Sequence, residues 1–165
     1  MTLIPGYKAA VVDLLSEFLL IHGARLKSLK GQRLERVVGV WSEEHGEWWV
    51  DAPIVLVFEN VQLEFEGTKC MMSLSWNSIL LDKPLKPPYR WAEDIPAIES
   101  DKVTGRRLAQ VAPLCTGDPA RIRGLYLKME DGTVLQLFDN FDETGLSLAD
   151  EPVRDCRLGR FLTLD

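Results

Sequence analysis

The sequence predicts an α+β fold in which one amphipathic N-terminal helix packs on a largely antiparallel sheet system or a partly open barrel. Three observations favour this class. Apolar residues follow a helical period over residues 5–22, they alternate between marked turns over residues 105–146, and an earlier segment repeats the start of that β unit. The 165 residues fit a single domain that spans residues 1–165.

Residues 5–22 carry the predicted helix. Apolar side chains recur there at helical spacing, while charged and polar side chains take the other side. The apolar set is Val11, Leu14, Leu15, Phe18, Leu19 and Ile21. Gly23 suits a left-handed C-cap, which predicts that the helix ends before it, although residues 24–30 leave an extension open. We expect Leu15 and Phe18 to be buried against the sheet.

A first β unit is predicted over residues 31–80. Apolar runs predict strands at 33–41, 54–58, 61–66 and 70–76, with a short strand at 48–51. In the run at 61–66, apolar residues alternate with Gln62, Glu64 and Glu66. This alternation is typical of a half-exposed strand, so we expect these three polar side chains to face solvent.

A second β unit is predicted over residues 105–164, with strands near 106–114, 123–129 and 133–139 and an edge strand at 157–164. Its start, Gly105-x-x-Leu108-x-x-Val111, matches Gly31-x-x-Leu34-x-x-Val37 at an offset of 74 residues. A polar loop and an apolar hairpin follow each copy. The match indicates two related β-meander units, although a shared strand-loop-hairpin plan also explains so few identities.

Residues 81–104 connect the two units. Four prolines punctuate this segment, and no hydrophobic period persists through it. Its apolar residues are too numerous for a flexible linker. We therefore expect the connection to pack along one side of the sheet.

Composition and charge narrow the range of partners. The chain has 19 Lys and Arg residues against 25 Asp and Glu residues, a formal net charge of −6 and a pI near 5.0. Its basic residues are dispersed, whereas a phosphate backbone requires a concentrated basic face, so we expect no binding to nucleic acid. An acidic surface instead steers basic partners towards it.

Cysteine usage and the N-terminal residues indicate the compartment. Cys70, Cys115 and Cys156 lie far apart and form no CxxC pair, which favours buried or half-buried reduced thiols in a cytoplasmic protein. The first residues lack the basic region of a signal peptide, and acidic residues interrupt the apolar run that follows, so neither export nor membrane insertion is expected. No cofactor-binding or zinc motif occurs, and we expect neither group.

Two segments are candidates for polar chemistry. His45 lies in a polar loop between Glu44 and Gly46, although a lone loop histidine is more often a simple surface residue. The densest oxygen cluster is Asp139, Asp142 and Glu143, which is a weak candidate for a calcium loop because hard cations prefer oxygen ligands. Its spacing does not match an EF-hand, and a turn or capping role is favoured.

The five tryptophans fall in the first half of the chain or in the connection. They are Trp41, Trp48, Trp49, Trp76 and Trp91. Such a group is typical of a core corner, a ligand-stacking wall or an interface anchor. Adjacent residues of a strand point to opposite faces, so Trp48 and Trp49 predict one inward ring and one ring outside the main core. The outer ring is expected under the helix, under the connection or at a binding surface.

Two functions fit these features. The first is a non-catalytic cytoplasmic protein that binds a basic protein partner, as immunity and regulatory proteins do, through an exposed indole with an acidic rim. The second is a small-ligand-binding domain or enzyme with a Trp-lined pocket. The candidate binding residues are Trp48, Trp49, Glu43, Glu44, His45 and Glu47. We favour the first because the sequence lacks a convergent catalytic set; whether the chain forms a homo-oligomer stays open.

Overall fold

The structure, a computed structural model, describes residues 3–95, 99–148 and 160–161. These ranges contain the α-helix α1 (Leu15–Ser28), a 3-10 turn at Ser100–Lys102 and twelve strands. The strands are β1 (Val11–Val12), β2 (Leu34–Ser42), β3 (Glu47–Trp48), β4 (Ile54–Phe58), β5 (Gln62–Thr68), β6 (Met71–Trp76), β7 (Tyr89–Ala92), β8 (Leu108–Thr116), β9 (Arg121–Met129), β10 (Val134–Asn140), β11 (Glu143–Ser147) and β12 (Arg160–Phe161). No helix in these ranges is long and apolar enough to cross a membrane.

The strands form two antiparallel sheets. In the first, the order is β1-β6-β5-β4-β2-β3, and β7 also pairs with β2. In the second, the order is β11-β10-β9-β8-β12. The sheets do not close into a barrel. The predicted α+β class with largely antiparallel strands is confirmed.

The two sheets contain the same four-stranded meander. Strands β2-β4-β5-β6 and β8-β9-β10-β11 follow one another in the same spatial order. Strands β2 and β8 lie 74 residues apart at both ends, and each ladder shifts register after its first leucine, Leu34 or Leu108. The turns β5–β6 and β10–β11 also match, because each has two central residues with positive φ. The repeated sequence pattern therefore corresponds to a repeated structural unit.

The beginnings of the two meanders pair with each other. Gly31 N–H donates to the Leu108 carbonyl over 2.8 Å, and Gly105 N–H donates to the Leu34 carbonyl over 2.8 Å. Between them, Arg33 and Arg107 form an antiparallel bridge. The φ values of +85° at Gly31 and +80° at Gly105 lie in the left-handed region that glycine tolerates. Equivalent residues of the two units therefore pair reciprocally at this junction.

Buried residues of both sheets and of α1 form the main core. Leu56 and Phe65 from the first sheet belong to the same cluster as Leu127 and Leu137 from the second, together with Phe18 of α1. A second cluster lies on the other face of the first sheet, and we call this the outer face. Its members include Ile4, Val38, Val40, Val55 and Leu85. The N-terminal residues and the connection therefore cover this face.

The predicted helix bounds were wrong. Residues Val11–Val12 form β1, which pairs with β6, so α1 begins at Leu15 and continues through Gly23 to Ser28. β-Branched valines favour strands, and the nearby edge of β6 supplies hydrogen-bond partners that local periodicity does not reveal. Burial of Leu15 and Phe18 is confirmed. By contrast, two residues of the predicted apolar stripe, Val11 and Ile21, are exposed.

The predicted exposure of alternate β5 residues was also wrong. Glu64 is fully buried, and Gln62 and Glu66 are half-buried. The reason is that the outer face is covered, with Ile4 and Ile79 in the cluster that packs there. A strand that alternates apolar and polar residues is consequently enclosed on both faces.

The connection contributes structure to the first sheet. Strand β7 pairs with β2, with Gly39 opposite Ala92, and Leu85 and Ile95 are buried. Beyond the second meander, β12 pairs with β8 through Arg160 and Phe161. The remaining residues of the predicted strand at 157–164 lie outside the described ranges.

Candidate functional site

The predicted acidic loop is an exposed hairpin between β2 and β3. Glu43, Glu44, His45 and Glu47 are all exposed, and Ser42 Oγ accepts a hydrogen bond from His45 N–H over 3.3 Å. Glu43 forms an ion pair with Arg90 of β7. No described residue forms an ion pair with Glu44 or Glu47. Part of the loop's negative charge is therefore available to a partner.

Trp48 and Trp49 lie against opposite faces of the first sheet, as strand alternation predicts. Trp48 packs on the main core, where its ring approaches Gly39, and its buried Nε1 has no hydrogen-bond partner among the described residues. Trp49 packs on the outer-face cluster and stacks on Tyr89, with ring centroids 4.4 Å apart and an interplanar angle of 19°. Both rings are half-buried, so neither is the exposed indole that we expected.

The other three tryptophans hold neighbouring elements. Trp76 donates a hydrogen bond to His22 of α1, and Trp91 Nε1 donates to the Lys83 carbonyl over 2.9 Å. Trp41 lies under the guanidinium of Arg90, 5.6 Å from the ring centre. Structural contacts therefore account for these three rings.

A cavity of about 170 Å³ opens on the outer face. It is lined by Leu3, Ile4, Tyr7, Trp49, Asp51, Pro53 and Glu66, and we call it the outer-face pocket. Three parts of the chain contribute, namely the N-terminal segment, the segment between β3 and β4, and β5. Trp49 is the one predicted binding residue that lines it.

Tyr7 reaches the pocket because the N-terminal segment is held close to the sheet. Pro5 O accepts a hydrogen bond from Leu80 N–H over 3.0 Å. Gly6 has a φ of +79°, and a Cβ there would lie 2.2 Å from the Ser78 carbonyl, so the close approach requires glycine. The segment is thereby fixed immediately before Tyr7.

Glu64 holds the loop that the N-terminal segment contacts. Its carboxylate accepts hydrogen bonds from the backbone N–H groups of Ser78 and Ile79, each over 2.6 Å. It also accepts hydrogen bonds from the hydroxyls of Ser75 and Ser78 and from Gln62 Nε2. Burial raises the pKa of Glu64, but these hydrogen bonds outweigh it and the net pKa is lowered. Because hydrogen-bond donors surround this buried carboxylate, its role is structural.

Strand β11 of the second sheet fixes the segment that carries Asp51. Thr144 N–H donates to the Val50 carbonyl over 2.8 Å, and Thr144 Oγ1 donates to the Ala52 carbonyl over 3.1 Å. Trp49 N–H donates to the Val40 carbonyl over 2.8 Å. The backbone on both sides of Asp51 is therefore anchored, while Asp51 itself is exposed.

Two carboxylates and a phenol provide the polar chemistry of the outer-face pocket. Tyr7 Oη donates a hydrogen bond to Glu66 Oε2 over 2.6 Å. Burial raises the pKa of Glu66, the Tyr7 hydrogen bond opposes this, and the charge of Asp51 raises it further. Burial, followed by the bond to Glu66, also raises the pKa of Tyr7. No described residue forms an ion pair with either carboxylate.

The weak calcium candidate is a tight turn in this structure. Asp139 is buried, and its Oδ1 accepts a hydrogen bond from Asp142 N–H over 3.3 Å. Phe141 and Asp142 have φ values of 53° and 76°, as a two-residue hairpin of this type requires. Glu143 begins β11 and is exposed. The described residues contain no group of three or more His, Cys, Asp or Glu side chains placed to hold a metal ion.

The cysteines differ from one another in burial. Cys115 is buried in β8, whereas Cys70 is exposed in the turn between β5 and β6. The expectation of a buried or half-buried thiol was therefore wrong for Cys70, which lies in the two-residue turn outside both strands. Cys156 lies outside the described residues.

Sequence reasoning missed Tyr7, Asp51 and Glu66. Asp51 follows Trp49 by two residues, so the sequence alone places these two close together. Tyr7 and Glu66, by contrast, are 59 positions apart. The available signal at Glu66 was its alternation with Phe65, which was interpreted as solvent exposure. Only the packing of the N-terminal segment over β5 brings these groups together.

The chain matches no protein-family model, no curated protein and no solved structure. Function must therefore be argued from the geometry of the site. Two features carry that argument, namely the exposed acidic hairpin and the outer-face pocket joined to it by Trp48 and Trp49.

Proposed function

We propose that the protein is a non-catalytic cytoplasmic protein that binds a basic protein partner, in the manner of an immunity or regulatory protein. The observation that supports this is the outer-face pocket, where Asp51 and Glu66 lie beside Trp49 without an ion pair to any described residue. The acidic hairpin lies directly before Trp49 and Asp51, two of the residues that line the pocket. Both features favour positive charge.

Charge explains how such a partner would be attracted and held. The formal net charge of −6 and the exposed Glu44 and Glu47 would accelerate encounter with a basic surface. Trp49 and Tyr7 would add apolar contact area, and aromatic residues are enriched at the centres of interfaces. The same charge distribution disfavours nucleic acid.

Pocket size weighs against the second function, binding of a small ligand. The concave shape of the pocket favours ligand binding, since small ligands occupy clefts. Small-molecule sites, however, commonly have volumes of about 300–1,000 Å³, whereas this cavity has about 170 Å³. One tryptophan lines it, not several. A volume of this size suits one side chain of a larger partner.

Binding of a defined basic peptide tests the proposal. A Lys- and Arg-rich peptide and a Glu-rich peptide of equal length would be titrated into isotopically labelled protein and followed by NMR. We expect the basic peptide alone to shift resonances of the acidic hairpin and Trp49, with affinity that falls as salt rises. Absence of binding, or binding centred on the second sheet, would refute the proposal.

Charge-matched variants locate the contact. The double variant Glu44→Gln/Glu47→Gln removes two exposed acids of the hairpin. Glu17→Gln/Glu130→Gln removes two exposed acids, one from α1 and one from the turn between β9 and β10, so net charge changes equally. We expect the first variant to weaken peptide binding clearly more than the second. Equal weakening would mean that net charge, and not this site, determines binding.

A further inference from the structure

We propose that the outer-face pocket receives one cationic side chain, lysine or arginine, from the partner, an inference that rests on the proposed function. The cavity combines apolar walls with two carboxylates at one site. A lysine or arginine side chain has the same two parts, because a methylene stem carries a charged head. Each part of the pocket therefore has a counterpart in such a side chain.

The apolar walls fit the stem. Ile4 and Pro53 are buried, and Leu3 and Trp49 are half-buried, so all four are held by the surrounding fold. An indole beside a cation also attracts it through the negative face of the ring. The pocket walls would thus contact both the methylene groups and the charge.

The carboxylates fit the head. Glu66 Oε2 accepts the Tyr7 hydrogen bond, whereas Oε1 accepts none from the described residues. Glu66 is half-buried, and the neighbouring Asp51 charge opposes its ionisation. A cation placed between the two would relieve this repulsion and satisfy the remaining oxygen.

The repeated meander shows that the fold does not require an acid at this position. Glu66 lies opposite Ser73 in β5–β6, and the equivalent residue of the second meander is Phe138, opposite Gly145. The Phe138 ring packs over that glycine. An apolar residue can therefore occupy the equivalent position in the ladder. This distinguishes Glu66 from Glu64, whose carboxylate has a structural role.

Other ligand classes fit less well. An anion would be repelled by both carboxylates. A calcium ion takes six to eight oxygen ligands, whereas the described lining offers two carboxylates and a phenol among apolar side chains. A cationic side chain needs fewer polar contacts and uses the apolar walls.

Capped amino acids test the proposal without a known partner. N-acetyl-lysine methylamide, N-acetyl-arginine methylamide and the neutral N-acetyl-norleucine methylamide would be titrated while the Trp49 indole resonance is followed by NMR. We expect weak, saturable binding of one or both cationic probes and none of norleucine. Equal binding of norleucine, or the absence of binding by both cationic probes, would overturn the inference.

Variants separate this inference from the proposed function. Glu66→Gln removes the charge but keeps a carbonyl that can accept the Tyr7 hydrogen bond, so the fold should persist. We expect at least tenfold weaker probe binding in Glu66→Gln and no change in Glu17→Gln. Suppose that a basic peptide binds and that Glu44→Gln/Glu47→Gln weakens this binding. If neither Glu66→Gln nor Asp51→Asn weakens it, the pocket inference is overturned while the proposed function stands. If no basic peptide binds at all, both are overturned.

Discussion

Trp76 Nε1–H donates a hydrogen bond to Nδ1 of His22 over 3.0 Å. An indole can only donate, so the imidazole must be neutral at Nδ1 and carry its proton on Nε2. His22 is buried, and burial followed by the charge of Arg25 lowers its pKa from the usual 6.5. Protonation would place a donor against the Trp76 donor and a charge in the core.

The first prediction concerns pH. Because the pKa of His22 is lower in the folded state, the unfolded state binds more protons below pH 6.5, and stability falls as pH falls through that value towards the folded pKa. We expect His22→Gln to reduce this dependence, since glutamine can accept the Trp76 bond without titrating. Urea unfolding at about pH 8 and about pH 5.5 measures the change in the free energy of unfolding for each protein. The raised pKa of Glu66 acts in the opposite direction in both proteins, so the difference between them isolates His22. An equal change in stability between the two pH values in both proteins would show that the pKa of His22 does not differ between the folded and unfolded states.

The second prediction concerns α1. Phe18 is 0% exposed in the main core, so Phe18→Ala should lower the free energy of unfolding by about 3–5 kcal/mol. Leu20 on the same helix is 87% exposed, and Leu20→Ala should change it by less than about 0.5 kcal/mol. Chemical denaturation of both variants provides the measurement. A loss below about 1 kcal/mol for Phe18→Ala would mean that α1 contributes little to the core.

The third prediction separates the adjacent tryptophans. Trp48 packs on the main core, so Trp48→Ala should cost about 3–5 kcal/mol. Trp49 is half-buried and stacks on Tyr89, so Trp49→Ala should cost about 1–2 kcal/mol, while binding of the basic peptide weakens. Thermal melts would compare the stability of the two variants, and peptide titration would compare their binding of the basic peptide. Equal destabilisation, with peptide binding unchanged in Trp49→Ala, would remove Trp49 from the binding site.

The fourth prediction concerns Glu64. In Glu64→Ala, the donors of Ser75, Ser78 and Ile79 lose their acceptor, and each unsatisfied buried group costs about 1–3 kcal/mol. We expect a loss of at least about 3 kcal/mol and weaker probe binding, because the same loop positions Tyr7. A control is Glu35→Ala on an exposed β2 position, which should be nearly neutral. A neutral Glu64→Ala variant would show that water replaces the carboxylate.

The strands were largely predictable because their signals are local. Apolar runs and turn residues located β2, β4, β8, β9 and β10 to within a few residues. The repeated glycine-leucine-valine pattern also located the start of each meander. The start of α1 was not predictable in this way, because the pairing of β1 with β6 joins segments about 60 residues apart.

The pocket was less predictable than the sheets. Trp49 stood out by composition, but the role of its neighbour Glu66 depends on an N-terminal segment that crosses β5. Glu64 is also buried, although its strand pattern placed it in solvent, and its carboxylate binds Ser78 and Ile79 of the segment after β6. Such contacts depend on tertiary packing, and hydrophobic periodicity in a single sequence does not reveal them.

The reciprocal pairing of Gly31 and Gly105 with Leu108 and Leu34 influences the order of folding. Each hairpin within a meander closes a short loop, whereas this junction closes one of about 74 residues, and closure entropy grows with the logarithm of loop length. Hairpins form in about 1–10 μs, long before such distant segments meet. We therefore expect the junction between the meanders, and the core that they share, to form after the local hairpins.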